Sequence, residues 1–305
     1  MAGRFAPSPT GSLHAGSLLA AVGSYLDARA AGERWLLRIE DLDTPRVVPG
    51  CADGMLRTLE AYGFEWDGDV VRQSTRADAY RDALTTLAAR GRLYRCSCSR
   101  RELAGDGGEE PAAYPGTCRA GTTRPGPTAV RFHVSDAAVA FDDLFLGSQA
   151  FDLGVLGDFV VERRDGIASY QLAVVVDDAW QGVTRVVRGA DLLESTPWQL
   201  DLQAALGLQR PIYGHLPLVT EPDGSKLSKS RRAVPIPDAD ALPGGGPGRA
   251  ISAALTSTLK LLSQSPPADL AEMPIKDVWC WALANWTPQA LVGLKKVQLS
   301  ATGDI

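Results

Sequence analysis

Apolar and polar positions along the chain alternate between short strand-like runs and longer helical stretches. Residues 4–17 read as a strand, a turn broken by Pro7, Pro9 and Gly11, and a helix start with His14 at the bend. Ser17-Leu18-Leu19-Ala20-Ala21-Val22 opens a helical run to about Ala31, and Gly32 stops it. Residues 35–40 predict a strand, and the polar turn 41–45 follows. Helical patterns fill 51–62 and 76–90, joined through Phe64, Trp66 and Asp67. Residues 129–134 and 159–163 alternate as strands do. The apolar, β-branched run 172–178 reads as a buried strand. A helix lies within 189–208, opened by Glu194-Ser195-Thr196-Pro197 with proline in its first turn. The Gly/Pro stretch 243–248 reads as a linker, and helices are expected over 249–264 and 275–285. Strands that alternate with helices predict an α/β fold with a Rossmann-like parallel sheet, split by an insertion at Cys96. No internal repeat is visible.

Composition narrows the class without choosing a function. A chain of 305 residues, 45% hydrophobic and 22% charged, can bury a sizeable core in one or two domains. No run approaches a membrane span and no signal peptide precedes the first strand, so a cytoplasmic protein is expected, as a monomer. The net charge of -5 argues against indiscriminate nucleic-acid binding. Local basic patches at 90–95, Arg100-Arg101, Arg163-Arg164 and Arg231-Arg232 still leave room for a specific tRNA.

Two distant segments carry the chemistry. The first amides of the helix after His14 lie at the positive end of its dipole and attract phosphate. Gly16, with no Cβ, lets a ligand approach the backbone, and His14 can donate to a phosphate oxygen. Much later, Lys226-Leu227-Ser228-Lys229-Ser230 places two ammonium groups three residues apart on a loop. Brought to His14, they would neutralise departing pyrophosphate. A carboxylate and two arginines complete a site for a dicarboxylic amino acid. Glu40 suits an ammonium group, while Arg4 and Arg188 suit carboxylates. His215 is left unassigned. Of five cysteines, Cys51 and Cys280 stand alone and read as small buried hydrophobes, and Cys96, Cys98 and Cys118 cluster in a Gly/Pro-rich loop. In an intracellular chain such a cluster points to zinc, but three thiolates leave a fourth ligand open and the nearest histidine is His133.

The strings Arg4-Phe5-Ala6-Pro7-Ser8-Pro9-Thr10-Gly11 and Lys226–Ser230 resemble the two signatures of class I aminoacyl-tRNA synthetases of the glutamyl/glutaminyl branch. The resemblance runs from Arg4 to about Pro237, and it implies a helix where the pattern of 172–178 reads as a strand. Ser17 departs from the second histidine or asparagine of many class I enzymes. The chain also stops at Ile305, without room for an anticodon-binding domain. That combination is similar to the shortened branch that transfers glutamate to queuosine in tRNA(Asp). The resemblance implies L-glutamate and ATP as substrates, ATP accompanied by Mg²⁺, and queuosine-containing tRNA(Asp) as acceptor. It places Arg4, Phe5, Ala6, Pro7, Ser8, Glu40, Tyr170 and Arg188 in the glutamate pocket. It gives His14, Gly16, Ser17 and Lys229 to ATP, with His14, Lys226 and Lys229 catalytic. It supplies Tyr114 as the fourth ligand of one structural zinc ion with Cys96, Cys98 and Cys118. The organisation it implies is 1–94 and 166–240 as halves of the catalytic core, 95–165 as a zinc-containing insertion, and 241–305 as linker and C-terminal helices. A compact glutamyl-tRNA synthetase acting on an acceptor end, and a non-catalytic zinc-containing tRNA-binding protein, are the alternatives.

Overall fold

In the computed structural model, which describes residues 1–104, 113–220, 236–237 and 248–298, parallel strands line up so that their C-terminal ends meet at one crevice. The chain begins β1 (Ala2–Phe5), α1 (Ala15–Ala30), β2 (Arg34–Ile39), α2 (Cys51–Ala61), β3 (Val71–Arg72) and α3 (Ala77–Ala89). β1, β2 and β3 pair in parallel, with Arg4 opposite Leu36 and Ile39 opposite Arg72. Next come β4 (Leu93–Cys96), α4 (Arg100–Ala104), β5 (Ala129–Phe132), β6 (Ala138–Asp143), β7 (Gly147–Asp152), α5 (Leu153–Leu156) and β8 (Phe159–Glu162). β4, β5 and β8 form a small antiparallel sheet beside the cysteine cluster. The remaining elements are α6 (Tyr170–Trp180), β9 (Arg185–Gly189), α7 (Thr196–Leu206), β10 (Ile212–Leu216), β11 (Leu218–Thr220), α8 (Gly248–Leu261), α9 (Ile275–Asn285) and β12 (Lys296–Gln298).

β9 lies on the other side of β1, where the Thr184 amide donates to the Ala2 carbonyl at 2.9 Å. β10 pairs with β9 in parallel, β6 joins β10 at Tyr213/Asp143, and β7 folds back antiparallel on β6. The order across the molecule is therefore β3-β2-β1-β9-β10-β6-β7. Strand order reverses between β1 and β9, and in open α/β sheets ligands bind at the strand C-termini of such a switch point. α1 covers this junction so closely that a Cβ on Gly23 would come within 2.6 Å of Leu216. An aromatic group of Tyr25, Trp35, Phe64 and Trp279, with ring centroids 4.8–5.4 Å apart, attaches α9 to α1 and β2.

Most predicted elements stand, with ends moved by one to three residues. The run 172–178 does not: it lies in the helix α6. Leu172, Ala173, Val174, Val175, Asp177 and Asp178 are all buried there. A helix enclosed on most sides carries no amphipathic stripe, and its β-branched residues then mimic a central strand. The β6–β7 hairpin, β10, β11 and β12 had no clear expectation. The linker stretch lies outside the described residues up to Gly248, which opens α8.

Several charged residues inside this core are paired with one another. Arg38, fully buried on β2, donates to Asp178 at 2.7 Å and to Glu40 at 3.1 Å. Arg4 on β1 reaches the same Asp178 oxygen at 3.3 Å. The neighbouring Asp177 faces Arg76, Gln73 and Tyr80 at 2.5, 3.0 and 2.7 Å. Truncating Asp178 to alanine would remove the carboxylate that two buried guanidinium groups share. Urea unfolding of Asp178→Ala should show a loss of about 3–5 kcal/mol, and Asp178→Asn, which keeps an acceptor, a smaller one.

Candidate active site

His14 ends the turn after β1 as the N-cap of α1. Its Nδ1 accepts from the amides of Gly16 at 3.1 Å and Ser17 at 3.3 Å. A ring nitrogen that accepts from backbone amides carries no proton, so the proton sits on Nε2. This changes the expected division of labour. The Gly16 and Ser17 amides are capped by the imidazole, which leaves Nε2–H as the outward donor. Gly16 is needed by the histidine itself, since a Cβ there would stand 3.1 Å from Cε1. Burial lowers the His14 pKa below 6.5, and the charge of Asp191 offsets part of that.

A cavity of about 600 Å³ opens at the switch point, a size suited to a small ligand. It brings together Arg4, Phe5, Ala6, Ser8, His14, Gly16, Ser17, Glu40, Tyr170 and Arg188, which sequence reading had drawn from five separate segments. Pro7 is buried beside it, and its carbonyl accepts from the Glu40 amide at 3.0 Å. Lys226 and Lys229 lie outside the described residues. The described residues flanking them do reach the site: Val219 lines the cavity, and the Ile236 amide donates to the Leu13 carbonyl at 3.2 Å.

Within the cavity the two arginines differ. Arg4 is tied to Asp178 and to the Val187 carbonyl. Arg188, 5% exposed, has neutral acceptors: His215 Nε2 at 3.2 Å, Thr196 Oγ1 at 2.8 Å, the Leu192 carbonyl at 3.3 Å and the Tyr170 hydroxyl at 3.5 Å. No carboxylate among the described residues pairs with it. Glu40 supplies the negative side; burial raises its pKa, against the pull of Arg38 and Arg4. Burial likewise raises Tyr170.

A second, larger cleft of about 1320 Å³ shares Ser8, Glu40, Arg46 and Tyr170 with this cavity and runs past Arg163 and Arg164 to the cysteines. There the Sγ atoms of Cys96, Cys98 and Cys118 lie within 4.8 Å of one another. The Tyr114 oxygen sits 3.4 Å from Cys96 Sγ and 3.6 Å from Cys98 Sγ, and accepts from the Cys118 amide at 2.9 Å. Tetrahedral zinc with ordinary bond lengths has ligand atoms about 3.5–3.8 Å apart; Cys98 and Cys118 are at 3.5 Å. The donor set therefore fits zinc. Burial opposes ionisation of Cys118, yet hydrogen bonds from Tyr114, Ser97 and Cys98 bring its thiol down to about 6. Beneath the loop, Asp158 anchors Arg119 at 2.6 and 2.9 Å and Tyr94 at 2.6 Å.

The profile of tRNA synthetases class I (E and Q), catalytic domain, matches residues 1–240. The chain belongs to this family. Among its relatives is the glutamyl-Q tRNA(Asp) synthetase of Pseudomonas aeruginosa, 52% identical over 93% of this chain and 92% of that protein. The protein of the same name from Geobacter sulfurreducens is 53% identical over 95% and 93%. A solved glutamate tRNA ligase from Elizabethkingia meningosepticum, in complex with its amino acid, superposes with a TM-score of 0.80. It shares 25% identity and covers all of this chain and 68% of its own. This member of the class I synthetases is thus a ligase of the glutamate and glutamine type with the catalytic fold of that class. No helix among the described residues is long and apolar enough to cross a membrane.

Arg38, Asp143, Asp178 and Thr196 were not foreseen as parts of the site, and His215 was singled out without a role. One signal was available: charged residues inside apolar runs, at Arg38 and at Asp177-Asp178, mark buried ion pairs. His14 and His215 hold opposite tautomers, and burial lowers the pKa of both below 6.5. ¹⁵N NMR titration should find the neutral His14 ring protonated on Nε2 and the neutral His215 ring on Nδ1, each less protonated at pH 6.5 than an ordinary histidine, which is half protonated there.

Proposed function

We propose that this chain activates L-glutamate with ATP and transfers it to the queuosine base of tRNA(Asp). The observation that carries the reading is the charge pattern of the small cavity. Glutamate presents one ammonium and two carboxylates; the cavity presents Glu40, Arg4 and an Arg188 whose acceptors among the described residues are all neutral. Relatives bearing the glutamyl-Q tRNA(Asp) synthetase name align over nearly the whole chain at about half identity.

The first step is an in-line attack of the glutamate α-carboxylate on the α-phosphorus of ATP. The bond to the bridging oxygen breaks, pyrophosphate leaves, and glutamyl-adenylate remains. Positioning and charge stabilisation provide most of the catalysis. Arg188 and Glu40 fix the amino acid, and the Nε2–H of His14 donates to phosphate oxygen. Lys226 and Lys229, carried between Val219 and Ile236, neutralise pyrophosphate, with Mg²⁺ accompanying the nucleotide. In the second step a hydroxyl of the queuosine cyclopentenediol attacks the acyl carbon. An ester forms, AMP departs with the electron pair of the broken anhydride bond, and the hydroxyl proton passes to the departing phosphate or to solvent.

The larger cleft suits the acceptor, since it joins the cavity at Glu40 and Tyr170 and carries Arg163 and Arg164 on its wall. Cys96, Cys98, Tyr114 and Cys118 hold a single zinc ion, which ties the loop to β4 and so shapes the far wall.

Labelled glutamate and ATP should mark tRNA(Asp) that contains queuosine and leave queuosine-free tRNA(Asp) unmarked. Label on tRNA(Glu) would instead indicate acceptor-end charging, and no label on any tRNA would remove the transferase reading. Purified protein should contain zinc by elemental analysis. Cys98→Ser should lose most of it, and Tyr114→Phe should release it to a chelator faster than wild type; equal release would remove Tyr114 from the ligand set.

A further inference from the structure

His215 lies on β10 opposite Arg188 on β9, in register, and is fully buried. Behind it, Asp143 ends β6. One carboxylate oxygen of Asp143 accepts from three amides, His215, Phe145 and Leu146, at 3.0–3.1 Å. The other lies 2.5 Å from His215 Nδ1. On the opposite edge of the ring, Nε2 faces Arg188 Nε at 3.2 Å. A guanidinium has donors and no acceptor. Nε2 must therefore accept, and the ring proton must lie on Nδ1, directed at Asp143.

We propose that Asp143 and His215 are positioning residues that aim Arg188 and keep its charge free for a ligand carboxylate, so that the cavity prefers glutamate to glutamine. The inference rests on the reading of Arg188 as the carboxylate partner. Had a carboxylate touched Arg188 directly, the pair would be neutral and its best donors occupied. The interposed imidazole transmits the orientation fixed by Asp143 and leaves the negative charge one ring away. Thr196 helps from the side: its hydroxyl accepts from Arg188 Nη2 at 2.8 Å and lies 3.1 Å from His215 Nε2. A glutamine carboxamide would bring N–H donors to a group that only donates, whereas a carboxylate brings acceptors alone.

The tautomer makes this testable. Asp143→Asn retains an oxygen for the three amides but offers an N–H to His215 Nδ1. The ring proton then moves to Nε2, where it opposes Arg188 Nε–H. In amino-acid-dependent pyrophosphate exchange, Asp143→Asn and His215→Leu should raise KM for glutamate by about 10–100-fold. The kcat and the KM for ATP should stay near wild type, and preference over glutamine should narrow. His215→Gln, which retains an acceptor facing Arg188, should recover most of the lost affinity. ¹⁵N spectra of Asp143→Asn should show His215 protonated on Nε2. Wild-type glutamate KM in folded Asp143→Asn and His215→Leu would overturn the proposal. So would an equal loss toward ATP that His215→Gln does not relieve, which marks a merely structural role. Arg188→Ala separates the two levels. Unchanged glutamate KM in that variant defeats the underlying reading, whereas a large rise there beside a wild-type Asp143→Asn defeats only the positioning role.

Discussion

Four charges withheld from water set the geometry on which the site depends. Arg4, Arg38, Glu40 and Asp178 come from β1, β2 and α6 and converge in one buried volume at the strand ends. An ion inside a protein costs several kcal/mol unless others compensate it, so these groups are stable only in one mutual arrangement. Two positive and two negative side chains balance. Because Asp178 on α6 pairs with Arg4 on β1 and Arg38 on β2, the pairing holds the three elements in register with one another. Arg188, on the neighbouring strand, is excluded from this balance. Among the described residues the result is a neutral frame beside Arg188, a cavity-lining cation that no carboxylate matches.

What the sequence made legible followed the strength of local signals. Pro7, Pro9 and Gly11 before an alanine- and leucine-rich run allowed only a strand, a turn and a helix, and His14 does sit at that junction. The strand through Trp35 to Ile39 was equally plain. The helix α6 was not, because burial on most sides erases the periodicity that separates helix from strand. The β6–β7 hairpin was missed for another reason: alanines occupy several of its exposed positions, Ala138, Ala140 and Ala150, so its apolar/polar alternation is faint. Among site residues, those with a distinctive neighbourhood were found, and those whose role is to hold them were not. His215 illustrates the limit. Its partners, Asp143 and Arg188, are 72 and 27 residues away, and only the strand order brings the three together.

The cysteine loop follows a similar logic on a smaller scale. Its three thiols and one phenol are held by contacts that do not involve a metal: the Cys118 amide fixes the Tyr114 oxygen, and the Arg131 guanidinium stacks 3.7 Å over the tyrosine ring. Asp158 fastens Arg119, one residue past Cys118, to the antiparallel sheet. The loop thus forms the far end of the same cleft that begins at Glu40.

The cap on α1 carries a consequence for phosphate recognition. A bare helix N-terminus would offer its amides directly, spread over several donors of similar strength. Here two amides converge on one imidazole nitrogen, and the ring presents a single proton on its far side. Hydrogen bonds in series polarise one another, so the electron density drawn toward the helix makes Nε2–H a better donor than an isolated imidazole. The helix dipole is, in effect, extended by the width of a ring and focused to one direction. A nucleotide arriving at this site would meet a short wire with one terminal rather than a broad positive patch, and its reacting phosphate would be selected by angle as much as by charge.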